Sequence, residues 1–100
     1  MKYVNTAIWK HEKPIDEEEE RAYMSVLKSL LNADEYLLDT IWYKIDDYTH
    51  VSVGIYKSKT AYGDFLEANA TQREFAAGDR KITMISEHKG SAYALHSEVD

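Results

Sequence analysis

One hundred residues provide for one folded domain, because a chain of this size buries roughly 60–70% of its unfolded surface and has no material for a second core. A hydrophobic fraction of 44% beside 30% charged residues belongs to a globular protein and excludes a disordered one. The 18 acidic and 12 basic residues give a net charge of −6, and no Lys/Arg cluster is present to neutralise phosphates, so no nucleic-acid partner is expected.

The lack of cysteine excludes disulfides and thiolate metal ligands and fits a reducing compartment, so a cytoplasmic location is expected. No apolar run approaches the roughly 20 residues of a membrane span, and Met1-Lys2-Tyr3-Val4-Asn5 has no signal-peptide core. A soluble chain with no membrane partner is the expectation.

In chain order, Tyr3 to Lys10 is aromatic and β-branched and stops before Pro14, which predicts a first strand. Asp16 and Glu19 have capping-box spacing, and Tyr23, Val26, Leu27, Leu30 and Leu31 follow at helical spacing, predicting a helix from about Glu17 to Asn32. The acidic run Asp16 to Glu20 then sits at the positive end of the helix dipole and is a solvated helix start, not a cation site.

Tyr36 to Asp46 and Tyr48 to Lys57 carry strand composition, with Asp46-Asp47 as the tight turn of a hairpin. In that register Ile45 faces Tyr48 and Trp42 faces Val51. One side of the hairpin then carries Leu38, Thr40, Trp42, Val51, Val53 and Ile55 toward the helices. The other side carries Leu37, Ile41, Tyr43, Ile45, Tyr48, His50, Ser52, Gly54 and Tyr56, too apolar a patch to be left in water.

Ser58 to Ala68 predicts a second helix with Tyr62, Phe65 and Leu66 inward. A break is expected near Asn69, followed by a short helix started by Thr71 and Glu74 and ended at Gly78. Lys81 to His88 predicts a fourth strand, with Gly90-Ser91 a turn and Tyr93 to His96 a short extension. The order β-α-β-β-α-β is the ferredoxin-like split βαβ arrangement, α+β, with both helices on one face of a four-stranded antiparallel sheet. Two such sheets packed face to face cover the apolar sides, so a homodimer is expected with Tyr43, Tyr48, His50, Ser52 and Tyr56 at its interface.

The segment Tyr56-Lys57-Ser58-Lys59-Thr60-Ala61-Tyr62-Gly63-Asp64-Phe65-Leu66 resembles the strand-to-helix segment, aromatic-x-Ser-x-x-Ala-aromatic, of the antibiotic-biosynthesis-monooxygenase-like dimeric α+β barrels. The motif covers about a tenth of the chain; the element order agrees over nearly all of it. The resemblance implies a cleft between sheet and helices in each subunit. Among the family's heme-degrading members an Asn on strand one, a Trp on the second helix and a His ten residues later carry the reaction, and here Ala7, Phe65 and Phe75 stand in those places. Heme degradation is therefore not expected. Other members place a His just after the second helix begins, where this helix has none.

The residues assigned to the cleft are Leu27, Trp42, Val53, Phe65 and Phe75 as apolar walls, with Asn5 from strand one as a polar contact and Arg73 or Arg80 as carboxylate partners. Taken singly, each apolar residue reads as core packing, Asn5 as locally bonded and both arginines as solvated; the set together points to the cleft. His11, His50, His88 and His96 show no spacing that puts two on one helix face, so no metal site and no cofactor are expected. His50 is the one acid–base candidate, beside its plainer role as an interface residue. Three functions stay open: binding of an apolar small molecule, fatty-acid-like or aromatic and carboxylate-bearing; a cofactor-independent monooxygenase on a hydrophobic substrate; and a dimerising domain with a filled core.

Overall fold

The computed structural model describes residues 1–78 and 80–100, the side chains of residue 30 and residues 71–77 excepted. Along them run β1 (Tyr3–His11), α1 (Glu17–Leu30), a 3₁₀ turn (Ala33–Glu35), β2 (Leu37–Asp46), β3 (Thr49–Tyr56), α2 (Lys59–Gly78), β4 (Ile82–Ser91) and a second 3₁₀ turn (His96–Glu98). The strands form one antiparallel sheet in the order β2-β3-β1-β4. This is the ferredoxin-like α+β fold. No helix of the described residues is long and apolar enough to cross a membrane.

Local chemistry sets the element ends. The Asp16 carboxylate accepts the Glu19 N–H at 3.1 Å and so caps α1, whose first turn holds Glu17, Glu18, Glu19 and Glu20. Beyond α1 the chain turns at Asn32, whose φ of 48° is left-handed, a conformation Asn tolerates well. At the start of α2 the Ser58 hydroxyl accepts the Ala61 N–H at 3.0 Å.

Three expectations about bounds are corrected. α2 continues through Asn69 and Thr71 without a break, because Glu67, Ala68, Ala70 and Gln72 are good helix formers and outweigh a single Asn. β4 continues through Gly90 and Ser91, which pair with Val4 and Tyr3; the full length of β1 offers them ladder partners, so no turn forms there. Tyr93 to Leu95 form no strand, and His96 opens a 3₁₀ turn.

The hairpin register also differs by one residue. Asp46 pairs with Thr49, leaving Asp47-Tyr48 as the loop, and Trp42 pairs with Ser52 instead of facing Val51. The cause is local: the Asp46 carboxylate accepts the Tyr48 N–H at 2.9 Å, so Asp46 opens the turn instead of sitting within it. Ladder irregularities flank Ile45 and Leu38. Since side chains alternate across a strand, the assignment of β2 stands from Thr40 to Tyr43 and that of β3 is exchanged. Leu37, paired with Tyr56 beyond the irregularity at Leu38, turns from the open side to the helix side and packs against the core. His50, Ser52, Gly54 and Tyr56 share the helix side with Trp42. Val51, Val53 and Ile55 lie on the open side with Ile41 and Tyr43.

The packed core lies under α2, where Tyr3, Ala33, Tyr56, Tyr62 and Phe65 are buried together, with Leu31, Tyr36, Leu37 and Leu66 against them. The Tyr62 ring stands 5.1 Å from Tyr3 and 5.0 Å from Tyr56, and Phe65 stands 5.6 Å from Tyr56. Under α1 the packing is different. Glu20, Tyr23, Met24 and Leu27, its inward residues, are only half-buried.

Candidate functional site

The space beneath α1 is a cavity of about 290 Å³. Tyr23, Met24 and Leu27 roof it from α1, while Leu38, Trp42, Ser52 and Gly54 come from the sheet and Phe65 closes it from α2. Lys28 and Asp34, both largely exposed and 4.0 Å apart, stand at its rim. Gly54 is needed where it stands: a Cβ there would meet the Tyr56 ring at 2.9 Å.

One end of this mostly apolar cavity is polar. His50, the second residue of β3, pairs with Trp9, so His11, two residues further along β1, falls on the same face beside it. His11 Nε2 lies 2.6 Å from His50 Nδ1, one nitrogen donating and the other accepting. Glu20, one turn into α1, completes a group whose three ligating atoms all lie within 4.8 Å of one another. The loop before α1 is held over this end by backbone bonds from His11 N–H to the Tyr48 carbonyl and from Ile15 N–H to the Asp47 carbonyl, both 2.7 Å.

Arg80, in the link from α2 to β4, pairs with Glu20 and lies 3.8 Å from the Tyr23 ring centroid. Trp9 and Trp42 flank His50 at 6.2 and 5.7 Å, and the Trp9 indole N–H donates to Ser52 Oγ at 3.0 Å. Burial, reinforced by His11 and Arg80, lowers the His50 pKa to about 4. Burial first and Arg80 second lower that of His11. Burial raises that of Glu20, with the Arg80 pair opposing it. Both imidazoles are therefore uncharged at neutral pH.

Of the residues assigned to the cleft, Asn5, Leu27, Trp42 and Phe65 line this cavity, as does Arg80. Val53 does not, since the register turns it to the open side. Arg73 and Phe75 lie outside the described side chains. The Asn5 amide N–H groups are taken up by Tyr62 Oη at 3.2 Å and Glu87 Oε2 at 3.0 Å.

Of the residues assigned to the interface, His50, Ser52 and Tyr56 instead face inward and line the cavity. Tyr43 is half-exposed on the open side and Tyr48 sits in the hairpin turn. The sequence reading missed the grouping of His11 with Glu20 and His50. Its only signal was the pairing of Trp9 with His50, which no local pattern announces.

No family model and no curated protein matches this chain. Solved structures do match over nearly its full length. The cofactor-independent oxygenase SnoaB of Streptomyces nogalater is 11% identical with a TM-score of 0.69, covering 97% of this chain and 98% of SnoaB. A provisionally named antibiotic biosynthesis monooxygenase from Chloroflexus aurantiacus is 13% identical with a TM-score of 0.62, covering 96% and 97%. A dimeric ferredoxin-like protein from an uncultured marine organism is 13% identical with a TM-score of 0.61, covering 95% and 97%. At such identities the likeness establishes a shared fold.

Proposed function

We propose that this protein binds a small apolar molecule, aromatic or fatty-acid-like, between α1 and the sheet. The carrying observation is the 290 Å³ cavity walled by Tyr23, Met24, Leu27, Leu38, Trp42 and Phe65. The volume lies at the small end of ligand sites, roughly 300–1,000 Å³, and favours one or two rings or a short chain. A ligand carboxylate would have to compete with Glu20 for Arg80, so an uncharged polar group that bonds His50 suits the site better.

The test is mass spectrometry of natively purified protein, followed by thermal melts of stripped protein titrated with aromatic compounds and fatty acids. At a ligand concentration of 100 times Kd the gain is about 2.7 kcal/mol, or roughly 11–22 °C for a domain of this size. No retained compound and no shift with any probe would remove the reading. A second reading, a cofactor-independent oxygenase, is favoured by the uncharged His50 imidazole at the cavity end and by the likeness to SnoaB. It requires oxygen uptake with a bound substrate, and binding without turnover would leave the first reading alone.

We also infer that two copies pair through their open sheet faces. Ile41, Tyr43, Ile45 and Ile85 are each more than half exposed there, an apolar area that a second sheet would cover. The likeness to a dimeric ferredoxin-like protein supports this. Ile41→Lys should convert a dimer to a monomer in sedimentation, because pairing would bury an uncompensated charge. A wild type that is monomeric at micromolar concentration would exclude the pairing.

A further inference from the structure

We propose that His11, His50 and Glu20 form a binding site for one divalent transition-metal ion, of borderline type such as Zn²⁺, Co²⁺ or Fe²⁺, at the polar end of the cavity. The three side chains come from the end of β1, the start of β3 and the first turns of α1, and their ligating atoms lie within 4.8 Å of one another. Two imidazoles and one carboxylate are a donor set that such ions favour, leaving positions for a further ligand. The cavity is on the side where those positions would lie, because His50 and Glu20 line it.

The geometry needs little change. With metal–nitrogen distances of roughly 2.0–2.1 Å and an angle of about 90–109°, two ligating nitrogens stand about 2.9–3.4 Å apart. The 2.6 Å between His11 Nε2 and His50 Nδ1 must open by roughly half an ångström. The proton now shared between them moves to the outer nitrogen of its own ring, so each ring offers a lone pair without losing a net charge.

Neighbouring side chains restrict two of the three ligands. Trp9 and Trp42 flank His50 on the sheet. Arg80 holds Glu20 through Oε1, which leaves Oε2 for the ion and fixes the carboxylate's direction. The guanidinium charge also opposes a cation, so binding weaker than at a structural zinc site is expected. The site does not depend on what fills the apolar part of the cavity.

The test uses the full, untagged chain stripped with a chelator and dialysed, then titrated with Zn²⁺ against a chromophoric competitor and with Co²⁺ by visible absorption. One ion per chain is expected, with a Co²⁺ spectrum of nitrogen and oxygen ligation and a rise in melting temperature with Zn²⁺. His11→Ala and His50→Ala should each weaken binding at least tenfold, and Glu20→Gln should weaken it less. The pair His88→Ala and His96→Ala, at exposed positions, should change nothing. Were the cavity variants to unfold, the wild-type stoichiometry and Co²⁺ spectrum would still decide. Absence of stoichiometric binding, retention of it in folded His11→Ala or His50→Ala, or its loss in the His88/His96 pair would overturn the site.

Discussion

Leu27→Trp tests whether the space under α1 is available. Leu27 is half-buried on the inward side of α1 and lines the cavity. In a filled core the larger side chain would force neighbours off their rotamers and cost about 1–3 kcal/mol. Here 290 Å³ adjoins it. The indole would bury roughly 50 Å² more apolar surface than leucine, worth about 1 kcal/mol at 25 cal/mol/Å². Ordering its rotamers takes back about 0.5 kcal/mol. The expected net is a gain of about 0.5 kcal/mol, seen as a melting temperature roughly 2–4 °C higher, and the sign is the result that matters. Urea and thermal melts of stripped wild type and variant read it directly. The same indole occupies the ligand's place, so the ligand-induced shift should shrink. A loss above about 1 kcal/mol would mean the space is already filled. A well-folded variant with an undiminished ligand shift would mean that ligands bind elsewhere.

Gly54→Ala should cost about 1–3 kcal/mol in urea melts, because its Cβ would lie 2.9 Å from the Tyr56 ring, itself buried against Tyr62 and Phe65; a neutral result would mean that the ring has room to move. Asp16→Ala removes the carboxylate that accepts the Glu19 N–H and should cost about 1 kcal/mol, whereas Asp16→Asn should cost little. Acidification should weaken the metal-free fold through His50, whose pKa is depressed from 6.5 to about 4. Between those values the unfolded chain takes up a proton that the folded one refuses, so stability is full above about pH 6.5 and falls toward pH 4. With solvent screening allowed for, the loss is about 2 kcal/mol. His50→Asn should flatten that part of the pH profile, and an unchanged profile would show the imidazole to be ordinary.

The elements were legible because their signals are local. Asp16 with Glu19, the β-branched run of β1 and the Ser58 start of α2 each act within a few residues, and the element order follows from them. Helical and strand periods place Leu27, Trp42 and Phe65 inward, and the family resemblance supplied the expectation of a cleft there, which they line. The hairpin register was not. Asp46 and Asp47 are the same residue type, and one carboxylate accepting the Tyr48 N–H decides which of them opens the turn. That choice carried His50, Ser52 and Tyr56 from the open face to the cavity and Val53 the other way. The grouping of His11, Glu20 and His50 was hidden for a different reason. It joins β1, β3 and α1, and no spacing within one element records a contact among three.

The half-buried underside of α1 also bears on motion. Glu20, Tyr23, Met24 and Leu27 are all incompletely covered, whereas β1 lies between two hydrogen-bonded neighbours. Local opening therefore costs less for α1 than for the central strands, and its amides should exchange with deuterium well before those of β1 and β3. Such opening is also a route by which a molecule enters a cavity roofed by the helix. Whatever fills the space completes the packing of α1, so occupancy should slow exchange in that helix while leaving the central strands almost unchanged. On the proposed binding reading, the exchange rate of α1 therefore reports whether the cavity is filled.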